Sequence, residues 1–185
     1  LHNIKSIKPG LLINREKETT WKDIILSIFN GEDFDWEEVS TRKGVNKELI
    51  LFSVERIIDL VQSTDLDLEN YSMLHTDFNQ RNLFVDPRKN EIAGIIDWEE
   101  AMFGDPLYDF ARVRMYLWHF NLDDSVVSEY YKMQNYTQLQ KQKEDLYWLS
   151  RVIQYLAWYS EELNEFNLAR IDLHQNFLKE YNWGK

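Results

Sequence analysis

Apolar residues recur along this chain with two different periods. Trp21, Ile24, Ile25, Ile28 and Phe29 stand three and four apart, the interval that lines up one face of a helix. Thr20 precedes them as an N-cap and Asn30-Gly31 follows them as a stop. A second stripe, Leu49, Ile50, Phe52, Val54, Ile57, Ile58 and Val61, predicts a strong amphipathic helix from about Lys47 to Gln62. Residues 1–18, broken by Pro9-Gly10 and charged from Arg15 to Glu18, read as a loop-rich lead-in with room for one short element. Residues 32–46, acidic and then basic, read as a loop.

The period changes in the middle of the chain. Met73-Leu74 leads into a polar loop, and Leu83-Phe84-Val85 follows as a short apolar run. Asp86-Pro-Arg-Lys-Asn90 carries turn residues, and Ile92-Ala-Gly-Ile-Ile96 is a second apolar run. Two short strands joined by a turn, a hairpin, are predicted. Its first strand opens at Asn82 and its second closes at Asp97, and in an antiparallel pair those ends lie side by side.

Helical patterns return after the hairpin. Pro106 starts one over Leu107 to Phe120. Asp123-Asp124-Ser125 caps the next, a long segment covers about Leu139 to Leu163, and a last one covers about Leu168 to Tyr181. The expected fold is therefore mainly α with a small β-hairpin, an α+β arrangement in one domain over residues 1–185.

Composition narrows the functional classes. The 185 residues are 44% hydrophobic and 15% aromatic, and seven tryptophans point to an aromatic core or a lined cleft. A net charge of −11 argues against nucleic acid and against anionic membranes, and tolerates cationic small molecules. There is no cysteine, which excludes disulfides, thiolate catalysis and sulfur-bound zinc. No apolar run approaches the roughly 20 residues that span a bilayer, and no secretory pattern opens the chain, so a cytoplasmic protein is expected. The first residue is Leu1 rather than Met, which fits a fragment or a processed product.

The chemistry concentrates in the hairpin region. His75-Thr76-Asp77 is followed after four residues by Asn82, and Ile96-Asp97-Trp98-Glu99 closes the second strand. Taken singly, Asp77 is a turn former, Asn82 a strand cap and Asp97 a strand end. Taken together, the spacing suits phosphoryl transfer, which needs an aligned acceptor oxygen and neutralised phosphate charge. Asp77 is the candidate that accepts a hydrogen bond from the acceptor hydroxyl. Asn82 supplies a neutral oxygen and Asp97 an anionic one, and hard oxygens suit Mg²⁺. His75 is read as a buttress of the loop rather than a base.

Residues 74–86, then Ile95-Ile-Asp-Trp-Glu-Glu100, then Gly104-Asp-Pro-Leu-Tyr-Asp-Phe-Ala111 resemble the aminoglycoside phosphotransferase and choline kinase-like, protein kinase-like superfamily. The likeness is most specific over residues 74–111. It implies that Asp77 matches the catalytic aspartate, that Asn82 and Asp97 match the metal ligands, and that Asp109 structurally ties the following helix to the catalytic loop. It also implies Mg²⁺ and ATP or GTP as the phosphate source. Thr76 stands where many members carry glycine. The family has an N-terminal lobe with a glycine-containing loop and a lysine on the nucleotide phosphates, and nothing before His75 fits it. Leu1-His-Asn-Ile4 resembles the segment just after the inter-lobe hinge. The likeness thus implies a kinase-like C-terminal lobe alone, with weak nucleotide binding and little turnover.

The acceptor is expected to be a hydroxyl on a small molecule; the likeness and the negative charge both allow a cationic one, such as an aminoglycoside or amino-alcohol, and leave its identity open. Glu99, Glu100, Asp123, Asp124, Glu161, Glu162 and Glu165 are acidic candidates to approach it, and for most of them a solvated face is explanation enough. Two rival classes remain. One is a non-catalytic kinase-like protein that binds a ligand or partner, with self-association through the surface left by a missing lobe. The other is a metal-dependent hydrolase with His75, Asp77 and Asp97 as ligands; His2, His119 and His174 lie in no ligand spacing.

Overall fold

The computed structural model describes residues 2–12, 19–31, 33–134 and 136–183. Leu1 and the charged run from Arg15 to Glu18 lie outside the described residues. The chain divides into two units, Leu1–Trp21 with Asp67–Trp148, and Lys22–Leu66 with Leu149–Lys185.

Among the described residues, the first unit holds all the strands. β1 (Lys5–Ser6), β3 (Tyr71–Leu74), β6 (Met102–Gly104) and β2 (Gly10–Leu11) form an antiparallel sheet in that order. β4 (Leu83–Asp86) and β5 (Glu91–Ile95) form a separate antiparallel hairpin with a bulge between Phe84 and Val85. α4 (Pro106–His119) packs on β3. Asp105 caps α4 by accepting a hydrogen bond from the Leu107 amide at 3.0 Å, and Pro106 fills the first helical position, where no amide proton is needed. α5 (Ser125–Gln134) and the first part of α6 (Gln138–Tyr159) complete the unit.

Trp21 is the centre of this core. It is fully buried, edge-on to Tyr108 at 5.4 Å and to Tyr147 at 6.2 Å. Its indole N–H donates to the Tyr147 hydroxyl at 2.8 Å, so the ring is buried without stranding its one polar atom. Tyr147 in turn donates to Asp105 at 3.1 Å, which couples the core to the N-terminus of α4.

The second unit is helical: α1 (Trp21–Ser27, from its second residue), α2 (Trp36–Thr41), α3 (Lys47–Ser63), the end of α6, and α7 (Glu165–Glu180). α3 packs against α7. Asn46 caps α3 by accepting from the Leu49 amide at 3.0 Å, while its own amide donates to Gln175 of α7. His174 lies buried on α7, stacked at 6.4 Å on Tyr155, and burial pulls its imidazole down to about 4, so it is neutral near pH 7.

Two sequence expectations are corrected. The strands are not confined to one hairpin: β1, β2, β3 and β6, of two to four residues each, form a second sheet. Strands this short show no alternation, so periodicity cannot announce them. The stretch 32–46 is not all loop, because it contains α2. The signal was present: Asp35 accepts from the Glu38 amide at 3.1 Å, and the spacing Asp35 to Glu38 is that of a capping box.

Candidate active site

β3 delivers the chain into the His75–Asn82 loop with Leu74 fully buried, so the loop starts from a fixed point. Thr76 turns the backbone with φ +66°, a region that suits glycine and strains a β-branched residue. The turn is held from α4: the Asp109 carboxylate accepts from the His75 amide at 3.0 Å and from the Thr76 amide at 2.8 Å. Thr76 adds a bond of its own, its hydroxyl donating to the Glu100 carbonyl at 3.1 Å. His2 Nε2 lies 3.2 Å from the same Asp109.

Both ring nitrogens of buried His75 are engaged. Nε2 donates to the Ile96 carbonyl at 2.8 Å, and Nδ1 accepts from the Asp77 amide at 3.3 Å. This pattern fixes one tautomer and leaves no nitrogen for a metal, which counts against the hydrolase alternative.

Asp77 is held on both oxygens. Arg112, from α4, donates through Nη2 to Oδ1. Asn82 donates through Nδ2 to Oδ2 at 3.0 Å and to the Asp77 carbonyl at 2.9 Å. Asn79 secures the same carbonyl at 3.0 Å, and its side-chain oxygen accepts from the Arg81 amide at 2.9 Å, capping the single 3₁₀ turn of Gln80–Asn82. That turn presents Asn82, which is buried, at the entrance of β4.

The hairpin brings the second acidic segment alongside. Leu83 pairs with Ile95, and the Ile96 amide donates to the Asn82 carbonyl at 3.0 Å. Asp97 is the next residue, with φ +68°, at the same end of the hairpin as Asn82. Its side chain is exposed, and among the described residues no donor reaches it. Trp98 covers the turn, its indole donating to the Ile95 carbonyl at 2.8 Å and its ring 4.7 Å from His75.

These donors fit a small hard cation. Asn82 turns its amide nitrogen to Asp77, which directs its carbonyl oxygen elsewhere, and Asp97 offers an unengaged carboxylate. Among the described residues no three His, Cys, Asp or Glu side chains cluster as a self-sufficient metal cage. Mg²⁺ does not need one, since it completes its shell with water and phosphate oxygens.

Of the acidic residues considered for the acceptor, Glu99, Glu100, Asp123 and Asp124 are exposed in the first unit, and Glu161, Glu162 and Glu165 are exposed in the second. The Ser125 amide and hydroxyl, both donating to Asp123, hold its carboxyl below the usual range. Two residues of the site were missed from sequence. Arg112 was legible in principle, standing three residues after Asp109 on the same face of α4. Asn79 gave no signal beyond being a turn former.

Residues 32–146 match the model of the phosphotransferase enzyme family, and the chain belongs to that family. Over 96 residues it is 31% identical to the hygromycin-B 4-O-kinase of Escherichia coli, a stretch covering 51% of this chain and 26% of that kinase. Its structure resembles the apo form of a thermostable mutant of aminoglycoside phosphotransferase APH(4)-Ia, with a TM-score of 0.66 at 22% identity over 88% of this chain and 52% of that one. A further single-residue variant of that mutant, in a ternary complex with ADP and hygromycin B, gives a TM-score of 0.64, again at 22% identity over 88% and 52% of the two chains. Macrolide 2'-phosphotransferase type I gives 0.52 at 16% identity over 89% and 50%. The chain thus has the aminoglycoside phosphotransferase fold and spans about half the length of these solved relatives.

Proposed function

We propose that this chain carries the acceptor-orienting and metal-binding half of a small-molecule kinase. Such an enzyme moves the γ-phosphate of ATP or GTP to a hydroxyl of a cationic acceptor, of which an aminoglycoside is the first to try. One observation carries the reading. Asp77 is fixed by Asn82, and Asn82 is fixed by the backbone of the segment that ends in Asp97, so three separate candidates form one connected unit. The family, the hygromycin-B kinase relative and the net charge of −11 support it.

In this reading Asp77 accepts a hydrogen bond from the acceptor hydroxyl and aligns its oxygen for attack. The phosphorus–oxygen bond to the nucleoside diphosphate breaks as the new ester bond forms, and the hydroxyl proton is released by way of Asp77. Asn82 and Asp97 would hold Mg²⁺, which neutralises phosphate charge when bound. His75 and Asp109 hold the loop in shape, a supporting role. Because the matched relatives are about twice as long, we read these residues as the kinase-like C-terminal lobe over 1–185 and expect slow turnover by this chain alone. A cytoplasmic setting, where Mg·ATP is abundant, suits the chemistry.

The test is transfer of label from γ-labelled ATP to hygromycin B and other aminoglycosides, by the chain and by Asp77→Asn. Labelled product from the parent, lowered at least about a hundredfold in the variant, is expected. Saturable ligand binding with no transfer would instead favour a non-catalytic binding protein.

A further inference from the structure

α4 grips the loop at two points one helical turn apart. Asp109 takes the backbone amides of His75 and Thr76, and Arg112, three residues on, takes the Asp77 side chain. The two partners of the second contact are unlike in exposure: the Arg112 side chain is 7% accessible and that of Asp77 31%. A group this buried cannot itself reach a substrate, whereas Asp77 can. We infer that Arg112 is a positioning residue, which holds the Asp77 carboxylate in the orientation that receives the acceptor hydroxyl. The inference rests on the phosphotransferase reading above and adds a residue to it.

The geometry makes the role specific. A carboxylate offers roughly four lone-pair sites. Arg112 takes one on Oδ1 and Asn82 one on Oδ2, so rotation about the Cβ–Cγ bond would break both contacts, and sites remain for the hydroxyl. The guanidinium also supplies a buried positive charge beside Asp77 that does not depend on pH. α4 is itself anchored by the Asp105 cap and by Asp109, so the charge is delivered from a rigid element. Asn82 alone would hold only one oxygen.

The test compares the parent, Arg112→Lys, Arg112→Met, Asp77→Asn and the Arg112→Met/Asp77→Asn double variant. Each is assayed for label transfer from Mg·ATP to hygromycin B and for affinity toward Mg·AMP-PNP. Slow turnover suffices, because ratios are compared. The expected result is a transfer rate at least about tenfold lower in Arg112→Met, with nucleotide affinity within about twofold. Arg112→Lys should recover much of the rate, since an ammonium can also donate to Oδ1, and Arg112→Met should have no further effect once Asp77 is Asn. Parent-like transfer by Arg112→Met overturns this inference while leaving the function standing. Equal loss of nucleotide binding and transfer in both Arg112 variants also overturns it, as a merely structural role would give. If Arg112→Met does not fold, Arg112→Lys against Asp77→Asn decides, and Arg112→Lys as slow as Asp77→Asn overturns it. Nucleotide binding by the parent with no transfer removes both readings together.

Discussion

Thr76 shows how a strained turn is held in a fixed loop. Its φ of +66° is disfavoured for a β-branched side chain. Strain of this kind costs on the order of 1–3 kcal/mol. Two amide bonds to Asp109 and the hydroxyl bond to Glu100 hold it in place. Thr76→Val keeps the branch and loses the hydroxyl bond in a buried setting, so it should destabilise the fold by about 1–2 kcal/mol. Thr76→Gly loses the same bond but relieves the strain and should be neutral to within about 1 kcal/mol. Chemical denaturation of the three proteins tests this, and a Gly variant less stable than the Val variant would contradict it. Asp77, Asn82 and Asp97 stood out in the sequence as candidates because of their spacing. Arg112 was harder to read: its spacing from Asp109 places it on the right face of α4 but does not show that it reaches across the fold to a loop 35 residues away.

At the level of elements, β6 is where sequence and packing meet. A Cβ on Gly104 would lie 2.4 Å from the Trp21 ring and 2.7 Å from the Leu74 side chain. Both neighbours are fully buried, so neither can retreat cheaply. Gly104→Ala should therefore destabilise the protein by about 2–3 kcal/mol. It should also disturb the loop after Leu74, since β3 and β6 are paired there. A denaturation midpoint unchanged from the parent would refute this. The long helices were readable within a few residues at their ends, α3 from its apolar stripe, α4 from Pro106 and its broad apolar face, and α6 from its Leu, Trp and Tyr content. The hairpin was readable because its two runs flank a turn. Strands β1, β2 and β6 were not, since two or three residues cannot express a period and their pairing is made by distant partners such as Lys5 with Ser72.

For the whole molecule, the candidate site residues sit in one unit, built on the sheet, the hairpin and α4, and the second unit is helical. What could be read from the sequence was the part with chemical punctuation. The division into two units was not legible, because each is assembled from two separated stretches of chain that carry no linker between them. The central claim is that Asn82 and Asp97 together hold the metal of a metal–nucleotide complex. Titration of Mg·ATP and Mg·GTP, followed by tryptophan fluorescence, tests it directly because Trp98 adjoins Asp97. Saturable binding by the parent is expected, at least about tenfold weaker in Asp97→Ala at fixed Mg²⁺, with ATP free of Mg²⁺ binding parent and variant alike. Equal affinity of parent and Asp97→Ala for Mg·ATP, in folded proteins, would contradict it.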